Sequence, residues 1–120
     1  MATIFLLDDE TELLEVMEKE FFEEGFDVCL YDNPHVFIDS FNSLKCDMVV
    51  SDIRMPLMNG FDIFKLVQRK LGEKCPPYIF FTAYHDFSRA ELLKEGATEL
   101  FEKPESFKKM SDFIRAELAK

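Results

Sequence analysis

Short apolar segments alternate with longer amphipathic segments along the whole chain. Five segments have the length and apolar character of β-strands: Thr3–Leu7, Val28–Tyr31, Met48–Ser51, Tyr78–Thr82 and Glu99–Phe101. Some are apolar throughout, which is typical of parallel strands covered by helices on both faces. The segments between them repeat apolar residues at helical spacing. The pattern predicts an α/β domain in which five strand–helix units form a doubly wound parallel sheet.

Capping and turn residues mark the ends of the predicted helices. Asn33 precedes Pro34, which places a cap residue before a proline at the first helical position. The Ser88–Glu91 segment has the spacing of a capping box. Gly25 and Gly96 lie where helices are expected to stop. These boundaries agree with the division into strands and helices.

Composition narrows the class of protein. A chain of 120 residues is long enough for one domain with a single core. Its formal charge of −10 argues against binding to a nucleic acid backbone or to an anionic membrane surface. The three cysteines are widely spaced and predict neither disulfides nor a zinc site. No basic segment precedes the first apolar run, as in a signal peptide, and no apolar run reaches the ~20 residues that span a bilayer, so we expect a cytoplasmic protein.

Polar and charged residues follow the predicted strands, at the sheet edge where ligands bind in doubly wound folds. They are Asp8, Asp9 and Glu10 after the first strand, Asp52 after the third, Thr82 at the end of the fourth and Lys103 after the fifth. Carboxylates about 4 Å apart repel by roughly 4 kcal/mol per pair at an effective dielectric of 20, so the cluster favours a bound cation. Oxygen ligands that leave room for water suit Mg²⁺. Together with a lysine and a hydroxyl, they could neutralise a phosphoryl group during its transfer.

Taken together and in order, these motifs resemble the receiver domain of response regulators in two-component signalling, over essentially the whole chain. The matching residues are Asp8-Asp9, Asp52-Ile53-Arg54-Met55-Pro56 with Asn59-Gly60, Thr82-Ala83, and Lys103-Pro104 after Gly96-Ala97. The resemblance implies a flavodoxin-like (βα)5 fold whose parallel sheet has the order 2-1-3-4-5, with helices on both faces. It also implies one receiver domain over residues 1–120 with no effector domain, and we expect a stand-alone response regulator.

The resemblance assigns roles to the acidic positions. Asp52 would be the phosphoacceptor and would take a phosphoryl group from a phosphohistidine donor. Asp9 would bind Mg²⁺ directly and Asp8 chiefly through water, with Asp52 and the backbone carbonyl of Arg54 as further ligands. Mn²⁺ could replace Mg²⁺. The protein would phosphorylate itself and lose the phosphate slowly, without being an enzyme in the ordinary sense.

Further positions match the parts of the family that respond to phosphate. Lys103 would hold the phosphoryl oxygens, and Thr82, which is followed by Ala83, would close onto them. Pro104 would follow a cis peptide bond. Gly60 would allow the turn into the third helix through its freedom at positive φ.

Three positions are expected to modulate the switch, namely Leu100, Arg54 and Tyr84. In the family, the threonine is coupled to an aromatic residue three positions before the lysine, but that position here is Leu100. The neighbouring aromatic, Phe101, should point to the opposite face of the strand and pack in the core. We therefore expect activation to use a smaller displacement of Leu100. Arg54 and Tyr84, each two residues after a site residue, are expected to shield phosphorus from water and slow hydrolysis.

The resemblance implies a sensor histidine kinase or a histidine phosphotransfer protein as phosphodonor and a protein as downstream target. No direct contact with nucleic acid or membrane is expected, and a phosphorylation-dependent dimer stays open. Met55, Leu57 and Met58 form an apolar loop beside the phosphoacceptor, which favours a docking patch for the phosphodonor. Packing of Met55 beneath the loop is the alternative.

Other functions stay open. The main alternative is a degenerate receiver that binds proteins without phosphate, which the leucine at position 100 suggests. A phosphatase of the haloacid dehalogenase type would need an aspartate where Arg54 stands. A flavodoxin-like electron carrier would need a phosphate loop rich in hydroxyl groups and glycine after the first strand.

Overall fold

Five parallel strands form one sheet in the order β2-β1-β3-β4-β5 in the computed structural model, which describes residues 1–120. The strands are β1 (Thr3–Leu7), β2 (Asp27–Tyr31), β3 (Met48–Ser51), β4 (Tyr78–Thr82) and β5 (Glu99–Glu102). The predicted strands differ only by one residue at the start of β2 and one at the end of β5. The flavodoxin-like fold and its strand order are confirmed.

The helices also lie where the amphipathic segments predict them. They are α1 (Thr11–Glu23), α2 (Pro34–Ser40), α3 (Gly60–Leu71), α4 (Arg89–Lys94) and α5 (Phe107–Leu118), with a 3-10 turn at Gly72–Lys74. The Asn33 side chain accepts hydrogen bonds from two backbone N–H groups at the start of α2. Ser88 and Glu91 form the predicted capping box of α4. No helix is both long and apolar enough to cross a membrane.

The sheet is buried on both faces because helices cover each side, and successive residues of each strand point alternately to the two sides. From β1, Ile4 and Leu6 pack against the side of the sheet that α1 and α5 cover. Phe5 and Leu7 pack against the other side, which α2 and α3 cover. Both faces of the strand are therefore apolar, and the sequence shows an unbroken hydrophobic run rather than an alternating one.

β5 directs its two central side chains to different clusters. The ring of Phe101 is buried on the α5 side, and its centroid lies 5.6 Å from that of Phe113. Leu100 is half-buried and packs on the α3 side of the sheet. The expectation that Phe101 is a core residue on the opposite face from Leu100 is confirmed.

Gly60 corrects one prediction. The glycines at positive φ are Gly25, Gly72 and Gly96, so the expectation that Gly60 uses positive φ is wrong. Instead, its N–H donates to the carbonyl oxygen of Ile53 at 2.6 Å, and a Cβ atom at this position would overlap the carbonyl oxygen of Asp52. Glycine is required here because the start of α3 passes directly against the backbone of Asp52 and Ile53, which follow β3.

Candidate functional site

The ends of β1 and β3 place two carboxylates side by side at one edge of the sheet. Leu7 pairs in register with Ser51, so the two strands end together. The N–H of Asp8 donates to the carbonyl oxygen of Tyr31 at 3.1 Å, and the N–H of Asp52 donates to that of Leu7 at 2.9 Å. Backbone pairing thus continues one residue beyond each strand, and the side chains of both aspartates are 4% exposed.

Lys103 joins the two aspartates. Its Nζ atom lies 2.9 Å from Oδ2 of Asp8 and 3.2 Å from Oδ2 of Asp52, and its side chain is 12% exposed. The backbone N–H of Lys103 donates to the carbonyl oxygen of Thr82 at 2.8 Å, which fixes the position of the lysine relative to β4. The peptide bond from Lys103 to Pro104 is cis, as the resemblance implies.

Backbone donors orient the remaining carboxylate oxygens. Oδ1 of Asp8 accepts the N–H of Glu10 at 2.9 Å, and Oδ1 of Asp52 accepts the N–H of Ile53 at 2.7 Å. The buried hydroxyl of Ser51 donates to the carbonyl oxygen of Asp52 at 2.8 Å. Each aspartate therefore uses one oxygen for the backbone and turns the other toward Lys103.

The site holds more negative charge than its lysine neutralises. Burial raises the pKa of Asp8 to about 6, and the hydrogen bonds from Glu10 and Lys103 offset only part of that effect. Burial lowers the pKa of Lys103, but hydrogen bonds and charge interactions with Asp8 and Asp52 outweigh it, so the pKa ends above its ordinary value. The lysine is thus firmly charged, while the aspartates still repel each other.

Three carboxylates converge closely enough to share a cation. Asp8, Glu10 and Asp52 each offer one oxygen, and the three oxygens lie within 4.8 Å of one another. Nζ of Lys103 also lies 3.6 Å from Oε1 of Glu10. Because all the donors are hard carboxylate oxygens and Glu10 is open to solvent, the set fits a partly hydrated Mg²⁺ ion.

The predicted metal ligands are therefore divided. Asp8 and Asp52 belong to the group of three, whereas Asp9 lies outside it and is exposed. Asp9 lines an adjoining groove of about 340 Å³ with Arg54 and Asn59. The sequence analysis placed Glu10 at this edge of the sheet but did not include it among the metal ligands. Its proximity to Asp8 could have indicated otherwise, because an aspartate that accepts the N–H two residues later turns the chain back toward itself.

Thr82 lies at the end of β4 and is buried. Its Oγ1 atom accepts the N–H of Tyr84 at 3.2 Å, so a hydrogen bond ties the hydroxyl to the exposed loop that begins at Ala83. This geometry uses a lone pair of the hydroxyl oxygen and leaves its proton for an acceptor in the site.

Arg54 and Tyr84 contact each other beside the site. The Cζ atom of Arg54 lies 4.2 Å from the centroid of the Tyr84 ring. The guanidinium also makes a bidentate contact with Asp86, with Nε to Oδ2 at 2.6 Å and the second nitrogen to Oδ1 at 2.7 Å. This hydrogen bonding lowers the pKa of Asp86. Sequence reasoning missed Asp86, because no local pattern relates residues that are 32 positions apart.

The apolar loop after the site divides in the structure. Met55 and Met58 are half-buried and pack against the core cluster on the α3 side. Leu57 is 64% exposed. Met55 thus packs beneath the loop, Leu57 is the exposed residue of the three, and docking of a phosphodonor at this loop stays a prediction.

Comparison with known proteins agrees with this geometry. The family model of the response regulator receiver domain matches residues 4–115. The response regulator protein TodT of Pseudomonas putida is 31% identical over 118 residues, which cover 98% of this chain and 51% of that protein. The transcriptional regulatory protein FixJ of Bradyrhizobium diazoefficiens is 33% identical over 103 residues, or 84% of this chain and 49% of that protein. The chain thus spans about half the length of the curated relatives it matches.

A solved structure gives the same result. The response regulator protein TrrA from Thermotoga maritima, solved in complex with Mg²⁺-BeF, is 28% identical, with a TM-score of 0.84 over 98% of this chain and 99% of that one. The sheet order, the acidic strand ends and these sequence matches lead to one conclusion. The chain belongs to the response regulator receiver domain family.

Proposed function

We propose that this protein accepts a phosphoryl group on Asp52 from a phosphohistidine of a sensor histidine kinase or histidine phosphotransfer protein, and thereby changes its binding to a downstream protein. The observation that supports this proposal is the position of Lys103. Its ammonium group lies between Asp8 and Asp52 at the carboxyl edge of the sheet, where a phosphoryl group on Asp52 would need a positive charge.

The orientation of Asp52 favours one of its oxygens as the nucleophile. Oδ1 is held by the N–H of Ile53, whereas Oδ2 faces Lys103 at 3.2 Å. Oδ2 forms the new bond to phosphorus as the bond from phosphorus to the imidazole nitrogen of the donor breaks. The ammonium group of Lys103 then holds a phosphoryl oxygen while it keeps its contact with Asp8. The Thr82 hydroxyl, which accepts a hydrogen bond from the N–H of Tyr84, donates a hydrogen bond to another phosphoryl oxygen.

Asp8, Glu10 and Asp52 would hold Mg²⁺ or Mn²⁺, and Asp9 and Arg54, whose backbone carbonyl the resemblance implies as a ligand, line the adjoining groove. When bound, the ion supplies positive charge that stabilises the phosphoryl oxygens during transfer. The protein consumes its own carboxylate in this reaction, so it acts as a switch that hydrolysis resets rather than as an enzyme that turns over a substrate.

Intact-mass measurement tests the proposal. The protein is incubated with Mg²⁺ and acetyl phosphate, and we expect the mass increase of one phosphoryl group, lost at alkaline pH. Asp52→Asn is the matched control, since it preserves the size of the side chain but removes the nucleophilic carboxylate, and it should gain no mass. EDTA should prevent the reaction of the wild type.

Two results would contradict the proposal. No adduct on a folded wild type would favour the degenerate receiver that binds proteins without phosphate. Rapid and repeated hydrolysis of a phosphomonoester would favour a phosphatase instead.

A further inference from the structure

An ion pair joins two loops on either side of the site. Arg54 lies in the loop between β3 and α3, two residues after Asp52, and Asp86 lies in the loop between β4 and α4. The guanidinium group makes two hydrogen bonds to the carboxylate and stacks on the ring of Tyr84. We call Arg54, Tyr84 and Asp86 the loop latch.

The latch is one of few attachments of its loop. Residues 83–86 are all exposed, and the short helix α4 that follows buries only Leu92. Besides the latch, the loop is held by the hydrogen bond from Tyr84 to Thr82 and by an exposed contact at 3.6 Å between Nδ1 of His85 and Oε1 of Glu102. At its far end, the ring of Phe87 is stacked 4.8 Å from that of Phe61. An ion pair that water reaches changes an equilibrium by a factor of about five at most. The loop is therefore held weakly enough for one competing charge to release it.

A phosphoryl group on Asp52 is such a competitor. It carries about −1.5 to −2 charges and three acceptor oxygens, compared with one charge and two oxygens on Asp86. The planar guanidinium fork matches a phosphate as well as a carboxylate. Arg54 already lines the groove beside Asp9, and Lys103 is committed to Asp8 and Asp52. Arg54 differs from Lys103 because its ion-pair partner, Asp86, lies outside the group of three carboxylates that could share a cation.

We propose that phosphorylation of Asp52 opens the loop latch by drawing the Arg54 guanidinium from Asp86 to the phosphoryl group. Once Asp86 has lost its partner, residues 83–86 are free to move together with Thr82, to which Tyr84 is hydrogen-bonded. The inference rests on the proposed function, since it needs a phosphoryl group on Asp52. Arg54 is thus a positioning residue for the loop before phosphorylation and a ligand of the phosphoryl group afterwards. Asp86 is the carboxylate that competes with the phosphoryl group for Arg54.

Titration with Mg²⁺ and beryllofluoride, a stable mimic of a phosphoryl group on a carboxylate, tests the exchange. Asp86→Asn keeps the shape of the side chain but removes the competing charge. We expect it to raise the apparent affinity for beryllofluoride about fivefold, because the ion pair no longer has to be broken. In an Arg54→Ala background the same substitution should give a clearly smaller gain, which reflects only the loss of a repelling charge.

Proton–nitrogen NMR gives a second readout that does not depend on affinity. The Nε–H signal of Arg54, identified by its absence in Arg54→Lys, should move when beryllofluoride is added to the wild type. In the free protein, Asp86→Asn should also move this signal from its wild-type position. Glu24→Gln is the matched control: it removes the same charge from the Arg115–Glu24 pair on the α1–α5 side of the molecule and should change neither readout.

The outcomes separate the two proposals. Equal gains from Asp86→Asn with and without Arg54 would attribute the effect to net charge and overturn the latch. An Arg54 signal that stays in place while beryllofluoride saturates Asp52 would overturn it as well. No covalent phosphoryl adduct on the wild type would reject the proposed function itself, whereas an adduct with a closed latch would reject only this inference.

Discussion

Asp8 places a carboxylate where water hardly reaches it. Burial raises its pKa from 3.8 to about 6, so the folded protein keeps this proton at pH values where the unfolded chain has lost it. Below pH 3.8 both states are protonated, and above pH 6 both are ionised. Between these values the folded state binds more protons, so the contribution of Asp8 to the free energy of unfolding falls as the pH rises, by about 3 kcal/mol in total.

Asp8→Asn should therefore stabilise the metal-free protein. We expect a gain of about 2 kcal/mol at pH 8, less than the full value because one hydrogen-bond partner of Lys103 loses its charge. Urea unfolding of both proteins between pH 5 and pH 8 measures the effect, and the gain should shrink toward pH 5. Two curves that stay parallel over this range would contradict the assignment of the raised pKa to Asp8.

Gly60 and Gly72 allow the cost of an overlapping Cβ atom to be compared with the cost of a strained backbone. Gly60→Ala would force a Cβ atom against the carbonyl of Asp52, so we expect a loss of about 2–3 kcal/mol in the free energy of unfolding and slower phosphorylation. Gly72→Ala is the control, because Gly72 has positive φ but no atom within 4 Å of an added Cβ. It should cost about 1–3 kcal/mol and leave phosphorylation unchanged. Equal phosphorylation rates in the two variants would disprove the role of the close approach.

Arg54 and Tyr84 should control how long the phosphoryl group survives. If their side chains shield phosphorus from water, Arg54→Ala and Tyr84→Ala remove that bulk, so both should lose phosphate faster than the wild type. Tyr84→Phe keeps the ring under the guanidinium and should resemble the wild type. Decay of the intact-mass adduct measures the rates, and equal or slower decay in the alanine variants would refute the shielding.

At the scale of elements, β5 carries a substitution in the expected switch. Leu100 stands where the family has an aromatic residue, and it is half-buried on the α3 side of the sheet. If its displacement carries the signal, Leu100→Ala should reduce the NMR shift changes that beryllofluoride causes along β4 and β5. Phe101→Leu, on the opposite face, controls for a general effect on the strand. Identical shift changes in the wild type and Leu100→Ala would end this hypothesis.

The three central strands β1, β3 and β4 could be predicted because burial on both faces makes them almost unbroken apolar runs. The two differences are Asp27 and Glu102, charged and exposed residues that end strands and carry no apolar signal. The strand ends also predicted which edge carries the polar residues, and the structure brings Asp8, Asp52 and Lys103 into contact there.

Other features of the site could not be predicted, because they depend on distances between backbones and between distant loops. The reason for Gly60 lies in how closely α3 approaches the end of β3, which no side-chain pattern encodes. Asp86 meets Arg54 only after the sheet has assembled. Glu10 is the exception, because its place two residues after Asp8 is a local signal: its N–H donates to the Asp8 carboxylate and brings Glu10 toward the other carboxylates.

For the whole molecule, the charge of −10 means that any salt screens repulsion between acidic residues. Specific binding of Mg²⁺ must therefore be distinguished from general screening. Mg²⁺ at 100 times its dissociation constant should raise the free energy of unfolding by about 2.7 kcal/mol, because it binds the folded state only. Sodium chloride at equal ionic strength should give a smaller and gradual change. Asp52→Asn should lose most of the Mg²⁺ effect, and an undiminished effect in this variant would place the cation elsewhere.

β1 and β3 end at paired residues, Leu7 and Ser51, and this register has a consequence for folding. Ile4 pairs with Met48, so this contact closes a long loop, and a slip of one residue would turn Asp52 to the opposite face of the sheet. Under the proposed function, the correct register of the strands and the ability of Asp52 to accept a phosphoryl group therefore arise in the same step. During refolding, the ability to take up a phosphoryl group should return only when the central strands have docked, which makes the reactive carboxylate a time-resolved probe of strand alignment that needs no label.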